Sequence, residues 1–171
     1  MKKRISFFTF LCILHISLQC YSQNGEYYST RQVAPKTTIE LFDQLKSSVS
    51  IAQKADIYFW LSWKYMNVMK MDSAQLYCAK VKEICAPSNY EPGMGKYFLA
   101  NARISFLLRE FSEAQVYFTN ALEIINRNND VLLLGLTHKF MALNYMGLES
   151  DHSEFVNSRK HLHIAINYLS R

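Results

Sequence analysis

Beyond residue 37 the apolar residues recur at three- and four-residue intervals, the spacing that stacks side chains on one face of an α-helix. The pattern is clearest over 95–128. Phe98, Leu99, Ala102, Ser105 and Phe106 make one such face, and Phe111, Ala114, Phe118, Ala121, Leu122 and Ile125 make a second, with a polar step at Arg109-Glu110 between them. This predicts a helical hairpin. Ala102, Ala114 and Ala121 let its two helices approach closely, and Phe111 and Phe118 fill the gaps between them.

The remaining elements follow from the same period and its punctuation. Thr37-Thr38 followed by Glu40 reads as a helix start with a partial capping box, and Ile39, Phe42, Leu45 and Val49 form its stripe. Helices are predicted over 55–69 and 72–85, the second capped by Asp72 or Ser73. Pro87, Pro92, Gly93 and Gly95 mark a turn-rich connection. A sixth helix runs over 131–146, with Gly147 as its C-cap, and a seventh over 153–169. The last places Phe155, Leu162, Ala165, Ile166 and Leu169 on one face, with Ile164 and Tyr168 on another side.

Shifting the hairpin by 40 residues in either direction preserves its pattern. Tyr58, Phe98 and His138 correspond, as do Ser62, Ala102 and Ala142, Tyr65, Ser105 and Tyr145, and Met66, Phe106 and Met146. Ala74 matches Ala114 and Cys78 matches Phe118. The third unit fits after about four extra residues in its turn, which brings in Ser158, Leu162 and Ala165.

These hairpins resemble the tetratricopeptide repeat, whose first helix (A) carries an aromatic, a small residue and a Tyr, and whose second helix (B) carries Ala, an aromatic and Ala. The second unit has Phe98, Ala102, Phe111, Ala114, Phe118 and Ala121 at these places, and the first has Tyr58, Ser62, Tyr65, Ala74 and Val81. In the third, His138 replaces the aromatic and Ser158 the small Ala. The resemblance covers about 55–169, and the 40-residue spacing is similar to that in sensory regions of bacterial signalling regulators. It implies an all-α fold, a right-handed superhelical array of antiparallel helix hairpins in a domain over 37–171. The units are about 55–88, 95–128 and 131–169, and the 37–50 helix is a half-repeat or cap. Stacked units of this kind curve with helix A inward. The inward positions are then Phe59, Trp63 and Met66, then Lys96, Leu99, Arg103 and Phe106, then Lys139, Leu143 and Met146. Of these, Phe59, Trp63, Met66, Lys96, Arg103, Phe106 and Lys139 are the candidate partner-binding residues. Aromatics interleaved with cations suit a protein or peptide partner of acidic or carboxylate character. Family members that clamp a C-terminal carboxylate use Lys and Asn at fixed helix A positions. Here the ninth position holds Trp63, Arg103 and Leu143, so that set is not present.

Composition narrows the function classes. Half of the 171 residues are hydrophobic and only 5 are Gly and 3 Pro, as expected of a folded helical chain. The formal charge of +5 owes three units to Lys2, Lys3 and Arg4; without residues 1–22 the chain has 16 basic and 14 acidic residues, which removes the case for nucleic-acid binding. Residues 1–22 read as a signal peptide: a positive start, an apolar run over 5–18, and Cys20 and Ser22 at −3 and −1 before cleavage. The run is short for a bilayer span, and the mature chain contains no membrane-spanning stretch. A lipoprotein reading would lipidate Cys20, but Ser17 and Gln19 stand at its −3 and −1 positions. The expected location is periplasmic or secreted, with 23–36 a flexible leader.

No catalytic apparatus is legible. The chain has no HExxH, GxSxG or glycine-rich phosphate loop. His161 and His163 point roughly 160–200° apart on a helix and cannot share a metal. Cys78 and Cys85 lie seven residues apart, roughly 10.5 Å along a helix axis, beyond the ~7 Å reach of a disulfide. The reading is a binding module or scaffold, neither an enzyme nor a cofactor protein, with a homodimer through the C-terminal helix as a further option. The alternative is the detached N-terminal sensory region of a signalling regulator, a transcriptional regulator or histidine kinase.

Overall fold

The computed structural model describes residues 37–48, 50–148 and 152–170; the signal-peptide and leader readings, like Val49, lie outside them. Among the described residues there are seven helices and no strand: α1 Thr38–Ser47, α2 Ile51–Asn67, α3 Met71–Cys85, α4 Glu91–Leu107, α5 Phe111–Arg127, α6 Val131–Gly147 and α7 His152–Leu169. The all-α expectation holds. Each helix packs on the next, and in addition α2 packs on α4 and α4 on α6. Helices α2–α3, α4–α5 and α6–α7 are antiparallel pairs. Early residues of one helix meet late residues of the other, as Gly95 meets Ile124 and Ile125, and Gly135 meets Leu169.

The local chemistry sets a finer period than 40. Residues Met69, Asn89, Arg109 and Asn129, spaced by 20, all take positive φ (51–65°). After each, the following amide bonds to the carbonyl five residues back: Lys70 to Tyr65 (3.0 Å), Tyr90 to Cys85 (3.0 Å), Glu110 to Ser105 (2.9 Å) and Asp130 to Ile125 (3.4 Å). This is the Schellman closure of a helix end. It recurs at the turns within and between the first hairpins, so helices begin at 51, 71, 91, 111 and 131. Glycine is the residue best suited to that backbone, and none of the four sites has it. Met69→Gly and Arg109→Gly should each stabilise the fold by about 0.5 kcal/mol, the relief of left-handed strain less the extra chain entropy of Gly. Asn89→Gly should change little, because Asn tolerates this region. Denaturation midpoints check all three.

Several boundaries differ from the sequence reading. Helix α4 starts at Glu91 and includes Pro92, Gly93 and Gly95. Pro92 fits because the first helical turn needs no amide donor. Gly93 and Gly95 serve close packing instead of a turn: a Cβ on Gly93 would lie 2.2 Å from Cys85 Sγ, and one on Gly95 3.1 Å from Ile124 and Ile125. Gly147 is the last helical residue of α6, and a Cβ there would stand 2.4 Å from the Phe111 ring. Helix α3 starts at Met71, with Lys70 and not Asp72 or Ser73 at its N-cap. Helix α2 starts earlier than predicted, behind a reciprocal capping box in which Gln53 N donates to Ser50 Oγ (3.1 Å) and Ser50 N to Gln53 Oε1 (3.2 Å).

The core follows the small-residue positions. Ala74, Ala102, Ala114, Phe118 and Ala121 are fully buried. Ser62 Oγ donates to Ala74 O at 2.8 Å, and Ser158 Oγ to Ala142 O at 2.9 Å, so the same crossing recurs in the first and third hairpins. Helix α1 packs through Leu41, Phe42 and Leu45 on Ile57 and Leu61 of α2, while Ile39 is 74% exposed. Its stripe is therefore rotated from the one predicted. On α7, Ser158 and Ala165 are buried, whereas Leu162 and Ile166, expected on the packed face, are about half exposed; the side chain of Phe155 lies outside the described residues. Cys78 and Cys85 are buried free thiols, and burial pushes the Cys78 thiol up to about 12.

Candidate functional site

Helices α2, α4 and α6 carry the positions expected to face inward, and the packing of α2 and α6 on α4 brings several of them together. Lys96 Nζ on α4 meets Asp56 Oδ1 on α2 at 2.5 Å, a pair 40 residues apart. About two turns further along α4, Arg103 is clamped. Its guanidinium carbon lies 4.1 Å from the Trp63 ring centroid and 4.9 Å from that of Phe140, and its Nη2 donates to Asn67 Oδ1 at 2.5 Å. Trp63 and Phe140 also touch each other edge-on at 5.5 Å. Side chains of the first and third units thus meet across α4.

The cluster extends past the clamp. Phe106 lies 6.5 Å from Phe140 and 5.9 Å from Phe111, and Lys139 Nζ sits 5.7 Å over the Phe140 ring. A cation over an aromatic face contributes about 0.5–1 kcal/mol where exposed and about 2 where water is excluded. Arg103 belongs to the second case, being 7% exposed, and Lys139 to the first, being half-buried. The clamp is therefore structural at its centre and approachable at its rim.

The seven sequence-predicted residues divide accordingly. Arg103, Phe106, Lys139 and Trp63 come together in one cluster. Lys96 lies apart from it, paired with Asp56. Phe59 and Met66 are corrected from partner-facing to core, at 0% and 1% exposure, as is the inward position Leu99 at 0%. The reason is that α2 is packed by three helices, α1, α3 and α4. Leu143 is half-buried and Met146 is 59% exposed.

Three participants were not anticipated: Phe140, Asn67 and Trp60, which packs on Phe59 and Trp63 at 5.0 and 6.1 Å. A signal for two of them was present. The 40-residue register aligns Trp60, Ala100 and Phe140, large, small and large, and the fully buried Ala100 keeps the middle helix slim between two aromatic positions.

Compared with family models, with curated proteins and with solved structures, the chain matches none. The site must be judged on its own chemistry. Among the described residues no three His, Cys, Asp or Glu side chains stand close enough to share a metal ion. No helix among them is long and apolar enough to cross a membrane. A concavity of about 600 Å³ lies between α3 and α4, lined by Gln75, Lys82, Glu83, Pro87, Tyr97 and Asn101. It shares no lining residue with the clamp, and its Lys82 and Glu83 are of opposite charge. The clamp concentrates rings and cations of one sign, and so has a directional preference that the α3–α4 concavity lacks.

Proposed function

We propose that this chain is a tetratricopeptide-repeat-type binding module, exported from the cell, that holds a protein or peptide partner on the face formed by α2, α4 and α6. The observation that carries the reading is the Arg103 clamp with its half-buried rim of Phe106, Lys139 and Phe140. Rings supply apolar area at low entropic cost, and cations over those rings attract carboxylates while steering their approach. The partner is a segment with acidic side chains or a free carboxylate, and the module performs no chemistry of its own. Because Trp63 and Phe140 close over the centre, the segment lies along the rim and does not thread between the units.

Selection of a displayed random-peptide library on the folded protein tests this. The expected outcome is enrichment of acidic sequences whose binding weakens with salt. Lys139→Glu should reduce the affinity of the best of them about tenfold, equivalent to about 1.4 kcal/mol. Enrichment with no acidic bias, or affinity unchanged in Lys139→Glu, would overturn the proposal.

A further inference from the structure

The third hairpin carries a pair of titratable rings where the first two carry neutral aromatics. In each hairpin a ring from the first helix meets a ring from the second: Tyr58 with Tyr77 at 6.2 Å, Phe98 with Tyr117 at 6.4 Å, and His138 with His161 at 5.0 Å. The interplanar angle is 27° in the first pair and 28° in the third. The flanking ring is reproduced as well, because Tyr65 stacks on Tyr77 and Tyr145 on His161, both at 5.4 Å. One structural device is used three times, and only the third copy can change its charge in mildly acidic water.

The imidazoles are not merely adjacent. Nδ1 of His138 and Nδ1 of His161 are 2.8 Å apart, so one ring donates and the other accepts. His138 is 8% exposed, with Tyr168 of α7 stacked on it at 6.0 Å and 8°. A first proton, taken at an outer ring nitrogen, leaves the bond in place but adds a charge. A second leaves two N–H groups pointing at each other. A bridging metal is a poor alternative: tetrahedral zinc would hold its two nitrogens roughly 3.3 Å apart, and no third His, Cys, Asp or Glu ligand completes a site among the described residues.

We propose that the third hairpin is an acid-released clasp, in which the facing imidazoles of His138 and His161 hold α7 on α6 at neutral pH and free it when they are protonated.

The surroundings favour release over accommodation. The charge acting on both rings is that of Lys160 on α7, a like charge to the one protonation would create. Tyr168 and Tyr145 present rings. Helix α5 presents Gln115, whose amide donates to the Tyr145 hydroxyl at 2.9 Å. The charge that α4 brings to α6 is Arg103, stacked on Phe140, and α6 itself adds Lys139. No carboxylate is among the groups acting on either ring. Burial, then the neighbouring His161, then Lys160 push His138 down from 6.5 to about 4, and burial lowers His161 too. A folded-state value below the unfolded one gives stability that is complete above about pH 6.5 and is lost as pH falls towards 4. The loss is local, because α6 is the only helix that α7 packs against among the described residues. The inference does not depend on what the α2–α4–α6 face binds.

Amide hydrogen exchange measured helix by helix tests it. After correction for intrinsic exchange, the opening constant of α7 should rise about tenfold more than that of α5 between pH 7 and pH 5. The double variant His138→Phe/His161→Tyr restores the ring pair of the second hairpin and should reduce that difference to less than twofold. His163→Gln, at an exposed position on α7, should retain it. Histidine side-chain NMR on the unmodified protein provides a readout that needs no variant: His138 should stay neutral at pH 5.5 while α7 is docked. Exchange in α7 that tracks α5, an unchanged difference in the double variant, or His138 titrating near 6.5 in the docked protein would overturn the proposal.

Discussion

Replacing Trp63 by alanine is expected to cost about 3–5 kcal/mol of stability, and to be felt in two helices. Trp63 is 8% exposed, packs on Phe59 at 5.4 Å and Trp60 at 6.1 Å, and reaches over α4 to Phe140 at 5.5 Å with Arg103 beneath it. Removing it opens a cavity, ends one side of the cation–π stack, and breaks the side-chain contact between the first and third units. Denaturant unfolding should show the loss, and amide exchange should show faster opening of α6 as well as α2. Faster opening confined to α2 would mean that Trp63 does not couple the units. The same geometry bears on how the site is probed. An alanine at Trp63 or Arg103 disturbs the scaffold along with the face, whereas Phe106, Lys139 and Phe140 sit at the rim and report on binding with less confusion.

A second large effect separates two equivalent repeat positions. Phe118→Ala should cost about 3–5 kcal/mol, and Leu162→Ala less than about 1 kcal/mol. Both residues occupy the same place in the repeat, counting the four extra residues before α7, but Phe118 is fully buried and Leu162 is 49% exposed. Its other counterpart, Cys78, is 1% exposed, with its thiol 3.6 Å from the Tyr97 carbonyl of the following helix. That position is where each unit receives the next, and α7 has no following helix among the described residues. Equal costs at the two sites would contradict the exposure of Leu162.

How far the fold was legible follows from this. The hairpin over 95–128 could be read because period and small residues agree: Ala102, Ala114 and Ala121 are buried where the stripe puts them. The 20-residue turn was missed because its signal is conformational. Met69, Asn89, Arg109 and Asn129 share a backbone state, but only the two asparagines share a side chain suited to it. Gly93, Gly95 and Gly147 misled for the complementary reason: glycine reads as a turn locally, and the neighbours that demand it here, Cys85, Ile124, Ile125 and Phe111, lie on other helices. Within the site, Arg103 was found because the repeat leaves its position free. Phe59 and Met66 were misplaced because α1, α3 and α4 all pack on α2, which a single helix pattern cannot reveal. The His138–His161 contact depends on a tertiary register offset by four residues, which the pattern of α7 alone does not carry.

The most direct measurement for the partner-binding face is the NMR or hydrogen-exchange footprint of the best acidic peptide selected on the folded protein. The changes are expected to centre on Phe106, Lys139 and Phe140 and to disappear in Lys139→Glu. Changes centred on the α3–α4 concavity around Lys82 and Tyr97, or on the exposed side of α7 around Leu162 and Ile166, would contradict it.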